Sequence, residues 1–227
     1  MLILAVDTNT PAASIALLED ARLLAEANLD AGLTHSEKLL PAVDFLLRSM
    51  GIEIRDLEGM ALAVGPGSFT GIRIGMSTVK ALAHATGCRI APVSTLEALA
   101  CKLSSSSNRL ICPLMDAKKG EVYGALYEQR ESNRKVLVPQ NLYAPDDLFS
   151  RFPSGRVISF VGSGVSPFRK NILDRFRTQA RFSSRSPFTA REIGMLGFEI
   201  LKDNRGLEFR DVRPLYFRKS QAEENHP

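Results

Sequence analysis

Read as alternating apolar and polar positions, the chain opens on an apolar run at 2–6. An uninterrupted run of that length predicts a central strand buried on both faces. Thr8-Asn9-Thr10-Pro11 is turn chemistry. Residues 13–18 and 22–29 predict two further strands, separated by the turn residues Glu19 and Asp20. The period then changes. Across 35–50, Leu39, Val43, Leu46 or Leu47, and Met50 recur at helical spacing, with Ser36 placed to cap the start and Gly51 to end the segment. Pro41 fits such a helix only within about its first turn. Residues 60–64 predict another buried strand, 72–86 a helix closed by Gly87, and 89–93 a fifth strand; Ser94 caps a helix reaching about residue 103. The polar stretch 104–108 reads as a linker.

The second half repeats the order. Residues 110–115, 122–127 and 135–142 predict three strands. A short helix follows over 145–152, with Pro145 in its first turn and Asp146 and Asp147 near its positive end. A strand at 157–161 runs into Gly162-Ser163-Gly164. Helices are expected over 167–176 and 190–201, the latter with Ile193, Leu196, Ile200 and Leu201 on one face. Each half spells three strands, helix, strand, helix, without an obvious residue repeat. That pattern predicts a duplicated α/β fold of the actin, hexokinase and Hsp70 class, with two lobes that each hold a mixed sheet flanked by helices. The expected lobes are 1–106 and 107–218, with a helix at about 190–203 free to pack back on the first lobe and a disordered tail at 219–227.

Composition narrows the class. With 44% hydrophobic and 24% charged residues over 227 positions, the chain can bury a core without staples. The formal charge of +4 is mild and fits a solvated surface. Three cysteines, Cys88, Cys101 and Cys112, are odd in number and lack zinc-site spacing, as expected in a reducing cytoplasm. The first strand follows no basic segment and ends on Asp7, unlike a signal peptide. No run approaches the roughly 20 apolar residues of a membrane span.

Three segments could carry chemistry. Asp7-Thr8-Asn9-Thr10 places an acid and hydroxyls at the end of the first strand, where actin-like kinases approach phosphate and metal; an Asx-type turn would look the same. Gly65-Pro66-Gly67-Ser68-Phe69-Thr70-Gly71 joins a strand to a helix. Its glycines permit close backbone approach, and Ser68 and Thr70 can cap the helix whose amides favour anions. No Gly-Lys-Ser/Thr follows, so it is not a nucleoside triphosphatase phosphate loop. Asp116-Ala117-Lys118-Lys119-Gly120-Glu121-Val122-Tyr123 is a charged hairpin turn. The three histidines, His35, His84 and His226, form no His-x-x-x-His pair, and no Gly-x-Ser-x-Gly elbow exists. No nucleophile–base pair stands out.

These segments resemble the TsaB family, also called YeaZ. The resemblance rests on Ile3-Leu4-Ala5-Val6-Asp7-Thr8, Thr34-His35-Ser36-Glu37, the Gly65–Gly71 loop with Ile72-Arg73-Ile74-Gly75, the 116–123 turn, and Arg213-Pro214-Leu215-Tyr216-Phe217-Arg218. The glycine run is its most specific part. The resemblance implies a non-catalytic scaffold that activates TsaD, a related catalytic subunit, together with the small ATPase TsaE. Their joint product is threonylcarbamoyl on adenosine 37 of tRNAs that read codons beginning with A. The alternatives are an actin-like ATPase or kinase using Asp7 and the glycine loops, or a glycoprotease-type metallopeptidase. The resemblance implies no cofactor for the isolated chain, with ATP or ADP at the complex interface. Asp7, Thr8, Gly65, Gly67, Ser68, Thr70 and Gly71 are then relics of the fold, or border a nucleotide only in the complex.

The resemblance further implies that helices 36–50 and 72–86 meet the equivalent helices of TsaD. The first helix carries Leu39, Leu40, Val43, Phe45, Leu46, Leu47 and Met50, more apolar residues than one face requires. The second carries the small residues Gly75, Ala81, Ala83 and Ala85, just after Gly71, which permit close approach. Leu40, Leu47, Gly75 and Val79 are the candidate partner-facing positions. A surface of this kind could also pair with a second copy of the chain.

Overall fold

The computed structural model describes residues 1–10, 12–29, 35–103, 109–130 and 133–218, and only the backbone of His35. The expected linker at 104–108, the tail at 219–227 and Thr34 lie outside the described residues. The chain divides into two compact units: Met1–Ala98 with Phe188–Tyr216, and Leu99–Pro187 with Phe217–Pro227.

In the first unit, β1 (Leu2–Asp7) is flanked by β2 (Ala13–Glu19), antiparallel, and β4 (Gly59–Gly65), parallel. β3 (Arg22–Leu29) pairs with β2 and β5 (Arg89–Ser94) with β4, giving the order β3-β2-β1-β4-β5. The sheet is buried on both faces, which is why its central strands read as continuous apolar runs. Alternation sends Leu4, Val6, Ile15, Leu17, Met60 and Leu62 to the core that holds the inner residues of α1 (His35–Ser49) and α2 (Phe69–Thr86). The opposite face is a row of small residues: Ala16 pairs with Ala5, Ala5 with Ala61, and Ala61 with Ala91. α6 (Ala190–Lys202) lies on that row and closes the first unit's sheet. Its approach depends on glycine, because a Cβ on Gly194 would strike Leu18 and one on Gly197 would strike Ala61.

Several local details differ from the sequence reading. α1 begins at His35, so Ser36 lies within the helix rather than capping it. Pro41 sits mid-helix, not in the first turn. It is on the exposed side, as is Glu37, whose carbonyl the ring displaces, so water can take the lost bond. Gly51 ends the helix in a left-handed conformation, φ 67°, as expected of a C-terminal glycine. Ser94 does cap the start of α3 (Thr95–Cys101): its hydroxyl accepts from the backbone N–H of Leu96 at 3.2 Å and of Glu97 at 3.4 Å.

The second unit repeats the sheet. β6 (Arg109–Asp116) is central, antiparallel to β7 (Val122–Arg130) and parallel to β9 (Ile158–Val161). β8 (Asn133–Tyr143) and β10 (Ala180–Phe182) complete the order β10-β9-β6-β7-β8, the counterpart of β5-β4-β1-β2-β3. The three residues of β10 are too few for periodicity to reveal. α4 (Pro145–Ser150) and α5 (Arg169–Phe176) bury an aromatic core against the sheet. There the Phe149 ring meets Phe176 edge-on at 5.4 Å and Phe160 at 6.1 Å. No helix among the described residues is long and apolar enough to cross a membrane.

Candidate functional site

The site is built where β1 and β4 end side by side. Their parallel pairing brings the Asp7-Thr8-Asn9 turn and the Gly65–Gly71 loop together. Asp7, Thr8 and Asn9 are all at most 1% exposed. A buried carboxylate must be hydrogen-bonded to stay charged. Asp7 accepts from the backbone N–H of Asn9 at 2.9 Å and from the hydroxyl of Thr189, the residue before α6. Ser14 adds a second tie, accepting from the N–H groups of Thr189 and Ala190 at 3.3 and 3.0 Å. The strand-end acid therefore anchors the start of α6. Thr189 was not anticipated; its place before a helix is legible in the sequence, but its bond to a residue 182 positions away is not.

The glycine loop packs directly on this turn. Ser68 donates its N–H to the carbonyl of Asn9 at 2.7 Å, and the Thr8 hydroxyl donates to the carbonyl of Gly71 at 2.7 Å. A Cβ on Gly67 would collide with the Asn9 carbonyl, one on Gly71 with the Thr8 carbonyl, and one on Gly75 with the Thr8 hydroxyl. Gly67 and Gly71 are needed for backbone contact, and Gly75 for room beside the Thr8 side chain. The left-handed conformation belongs to Gly65, φ 119°, where a Cβ would also lie 2.6 Å from the carbonyl of Leu215. Ser68 caps α2, accepting from the Gly71 N–H at 3.2 Å. Thr70 is exposed inside the first turn and is not the cap. Turn and loop are in backbone contact with no gap between them, and Asp7 and Thr8 are buried in the protein interior, while Ser68 and Thr70 are exposed. The Asn9 side-chain N–H₂ donates to the Thr95 hydroxyl at 2.8 Å, while its Oδ1 meets no donor among the described residues.

The closing motif is part of the same construction. Leu215 donates its N–H to the carbonyl of Val64 at 2.8 Å. The Tyr216 ring stacks on Phe69 at 4.5 Å, and the Arg73 guanidinium covers the Phe69 ring at 4.0 Å. In the second unit, Arg218 donates to the carbonyl of Ala117 at 2.8 Å and pairs with Glu121. It thereby braces the 116–123 turn, where Lys118, Lys119 and Gly120 all have positive φ. Burial pushes the Asp116 carboxyl up, but hydrogen bonds from the Lys118 ammonium and backbone outweigh it and hold the group below the usual carboxylate range.

The partner-facing positions divide sharply. Leu40 is 50% exposed, as expected of an outward residue. Leu47 is not outward: it is 5% exposed and belongs to the core of the first unit. Val79 is fully buried and Gly75 packs on Thr8, so neither presents a surface. Leu47 and Leu40 are seven positions apart, which is 700°, or 20° short of two turns, so they share one side of the helix. That side packs into the core at Leu47 and lies open at Leu40. Phe45 at 69% and Met50 at 40% are the outward apolar residues instead. Leu40 and Phe45 flank a strip on which Asp44 pairs with Arg48 at 2.8 Å. On α2 the exposed positions include Arg73, Ser77, Ala81, His84 and Ala85.

A relative from Bacillus subtilis (strain 168), described as tRNA threonylcarbamoyladenosine biosynthesis protein TsaB, is 33% identical over 98% of this chain and 96% of its own length. The chain belongs to the TsaB family. A family model described as TsaD, tRNA N6-adenosine threonylcarbamoyltransferase, matches residues 29–225. The solved structure of YeaZ from Pseudomonas aeruginosa is 26% identical, covers 95% of this chain and 99% of that one, and superposes with a TM-score of 0.79. A ROK hexokinase from Thermus thermophilus covers 89% of this chain at 12% identity, TM-score 0.51, a likeness of fold alone. With the paired sheets, these likenesses establish the duplicated actin-like fold for this TsaB-family chain.

Proposed function

We propose that the chain is the non-catalytic scaffold subunit of the assembly that places threonylcarbamoyl on adenosine 37 of tRNAs reading codons beginning with A. It activates TsaD, with TsaE as the ATPase of the assembly. The observation that carries this reading is the outer face of α1. Its inner residues already fill the core, yet Leu40 and Phe45 remain at 50% and 69% exposure. On this reading these two large apolar side chains form the surface a partner covers. A related subunit with equivalent helices suits it, and a second copy of this chain takes its place when the subunit is missing.

The closed turn supports a scaffold over a nucleotide-using enzyme. Asp7 is committed to Asn9 and Thr189, and Gly67 and Gly71 to backbone packing. ATP or ADP, on this reading, meets the chain only within the assembly. A metallopeptidase activity lacks a donor set: among the described residues no three His, Cys, Asp or Glu side chains converge. The reaction on tRNA points to the cytoplasm.

Reconstitution tests the proposal. The purified chain should leave tRNA unmodified when given threonylcarbamoyl-adenylate, and modification should appear when TsaD and TsaE are added. Modification by this chain alone would overturn it, as would magnesium-ATP turnover by the isolated chain.

A further inference from the structure

We infer that the second unit carries a groove for an RNA strand at the β9–β10 edge of its sheet, on the face opposite the Phe149 core. The inference rests on the tRNA reading for the identity of the strand and on charge and geometry for its location. The second unit holds 17 of the chain's 29 basic residues but 9 of its 25 acidic ones, and the first unit holds 12 and 16. A mild net charge therefore conceals an excess of eight positive charges on one unit and four negative on the other. Such asymmetry is the footprint of a polyanion partner. It is densest at 169–185, where Arg169, Lys170, Arg175, Arg177, Arg181 and Arg185 face a single acid, Asp174.

Strand pairing gathers part of this charge around a hollow. Arg181 pairs with Ser159, and Ser159 with Ile111, so one row crosses β10, β9 and β6. Alternation brings Arg109 and Val157 to the same face, two positions earlier. A cavity of about 340 Å³ opens there, lined by Arg109, Val157, Ser159, Arg181, Phe182 and Ser183 together with Leu103. The two arginines stand on strands separated by β9, roughly 10 Å apart at the backbone. Neither pairs with a carboxylate among the described residues. Arg181 donates only to the carbonyls of Thr178 at 2.7 Å and Ala180 at 3.2 Å. Ser159 on the intervening strand and Ser183 beyond Arg181 also line the hollow, and half-exposed Val157 adds an apolar wall.

Phe182 alternates to the other face of the edge strand, against Phe160 of the aromatic core, and the Arg169 guanidinium lies 4.0 Å from its ring centroid there. The edge strand β10 thus carries Arg181 on the groove face with further positive charge beside its opposite face. Basic surfaces of this kind bind RNA through its phosphates. A small anion would call for an enclosing cradle of donors. This hollow is open, and the charge continues past it along 169–185.

The test is a titration of a fluorescently labelled, unmodified tRNA transcript, read by anisotropy at several salt concentrations. It is run with the full chain alone and with the chain assembled with TsaD. The double charge reversal R109E/R181E should weaken binding by about tenfold or more and flatten the log–log salt slope by about 1.4–1.8, the loss of two phosphate contacts. R22E/R205E, the same charge change on the first unit, should alter affinity by less than about twofold. If charge reversal unfolds the unit by circular dichroism, R109Q/R181Q takes its place and should give a smaller loss in the same direction. Unchanged affinity and slope in the groove variants would overturn the inference. So would displacement of the RNA by equimolar inorganic phosphate or ADP, which would make the hollow a small-anion pocket. Retained RNA binding with lost protein association would overturn it in favour of a protein partner. The two proposals fail separately. Failure to pair with TsaD sinks the scaffold reading while the titration on the chain alone still reports on the groove. An assembly that modifies tRNA but ignores the charge reversal sinks only the groove.

Discussion

The two units solve the same joint in different ways. In each, the strand parallel to the unit's first strand ends in glycines that fold back on that strand's end: Gly67 and Gly71 on Thr8 and Asn9, Gly162 and Gly164 on Leu114 and Met115. In the first unit the adjoining turn is buried and tied by short polar bonds to α2 and α6. In the second, the turn projects Lys118 and Lys119 into solvent in left-handed conformations, held by Lys118–Asp116 and by Arg218. One fold with one set of junction glycines thus closes both joints backbone on backbone, while the adjoining turn is sealed in one unit and open in the other. The difference teaches that glycine richness at such a junction reports how closely two backbones must pass, whether or not the neighbouring turn is buried.

The largest effect should come from wedging the sealed joint. Gly71→Val should lower stability in urea denaturation by about 3 kcal/mol, and Gly67→Val by about 1–3 kcal/mol, because backbone lies where each Cβ must go. Gly120→Ala in the open turn meets no atom within 4 Å and should cost only about 1 kcal/mol, from its φ of 78°. Equal costs at Gly71 and Gly120 would erase the contrast. Next comes Thr189→Val, which keeps shape but takes a donor from the buried Asp7 carboxylate. It should cost about 1–3 kcal/mol. Full stability would mean that this hydroxyl does not hold α6.

The smallest effect concerns an ion-pair network in the second unit, in which exposed Arg130 and half-exposed Arg156 pair with a buried Glu128. Hydrogen bonds from Arg156, at 2.7 Å, and from Arg130 hold the Glu128 carboxyl below the usual range. A depressed folded pKa stabilises above the unfolded value, about 4.3, and that contribution is lost as pH falls through the folded one. Glu128→Gln should therefore melt slightly lower than the parent at pH 7 and indistinguishably in strong acid. A gap that persists at low pH would assign the loss to packing.

Most of this architecture was legible because it is local. Strand runs such as 2–6 and 60–64, the cap at Ser94 and the stop at Gly87 are written in neighbouring residues. The repeated element order followed from them, although β10 did not, since three residues carry no period. What stayed hidden depends on pairs distant in sequence. Thr189 reaches Asp7, Tyr216 reaches Phe69, and Leu47 turns inward because the sheet and α2 occupy its side of α1. Apolar surplus on α1 was countable from composition and spacing. Which of its residues formed the surplus was settled by tertiary packing, which left Leu40, Phe45 and Met50 outside.

That surplus is the centre of the account, and size-exclusion chromatography of the chain mixed with TsaD tests it most directly. The parent chain should co-elute with TsaD. L40E/F45E should retain the parent's circular dichroism and thermal midpoint, because both side chains are exposed, and should elute apart from TsaD. A folded L40E/F45E chain that still co-elutes with TsaD would contradict the assignment of the α1 face to the partner.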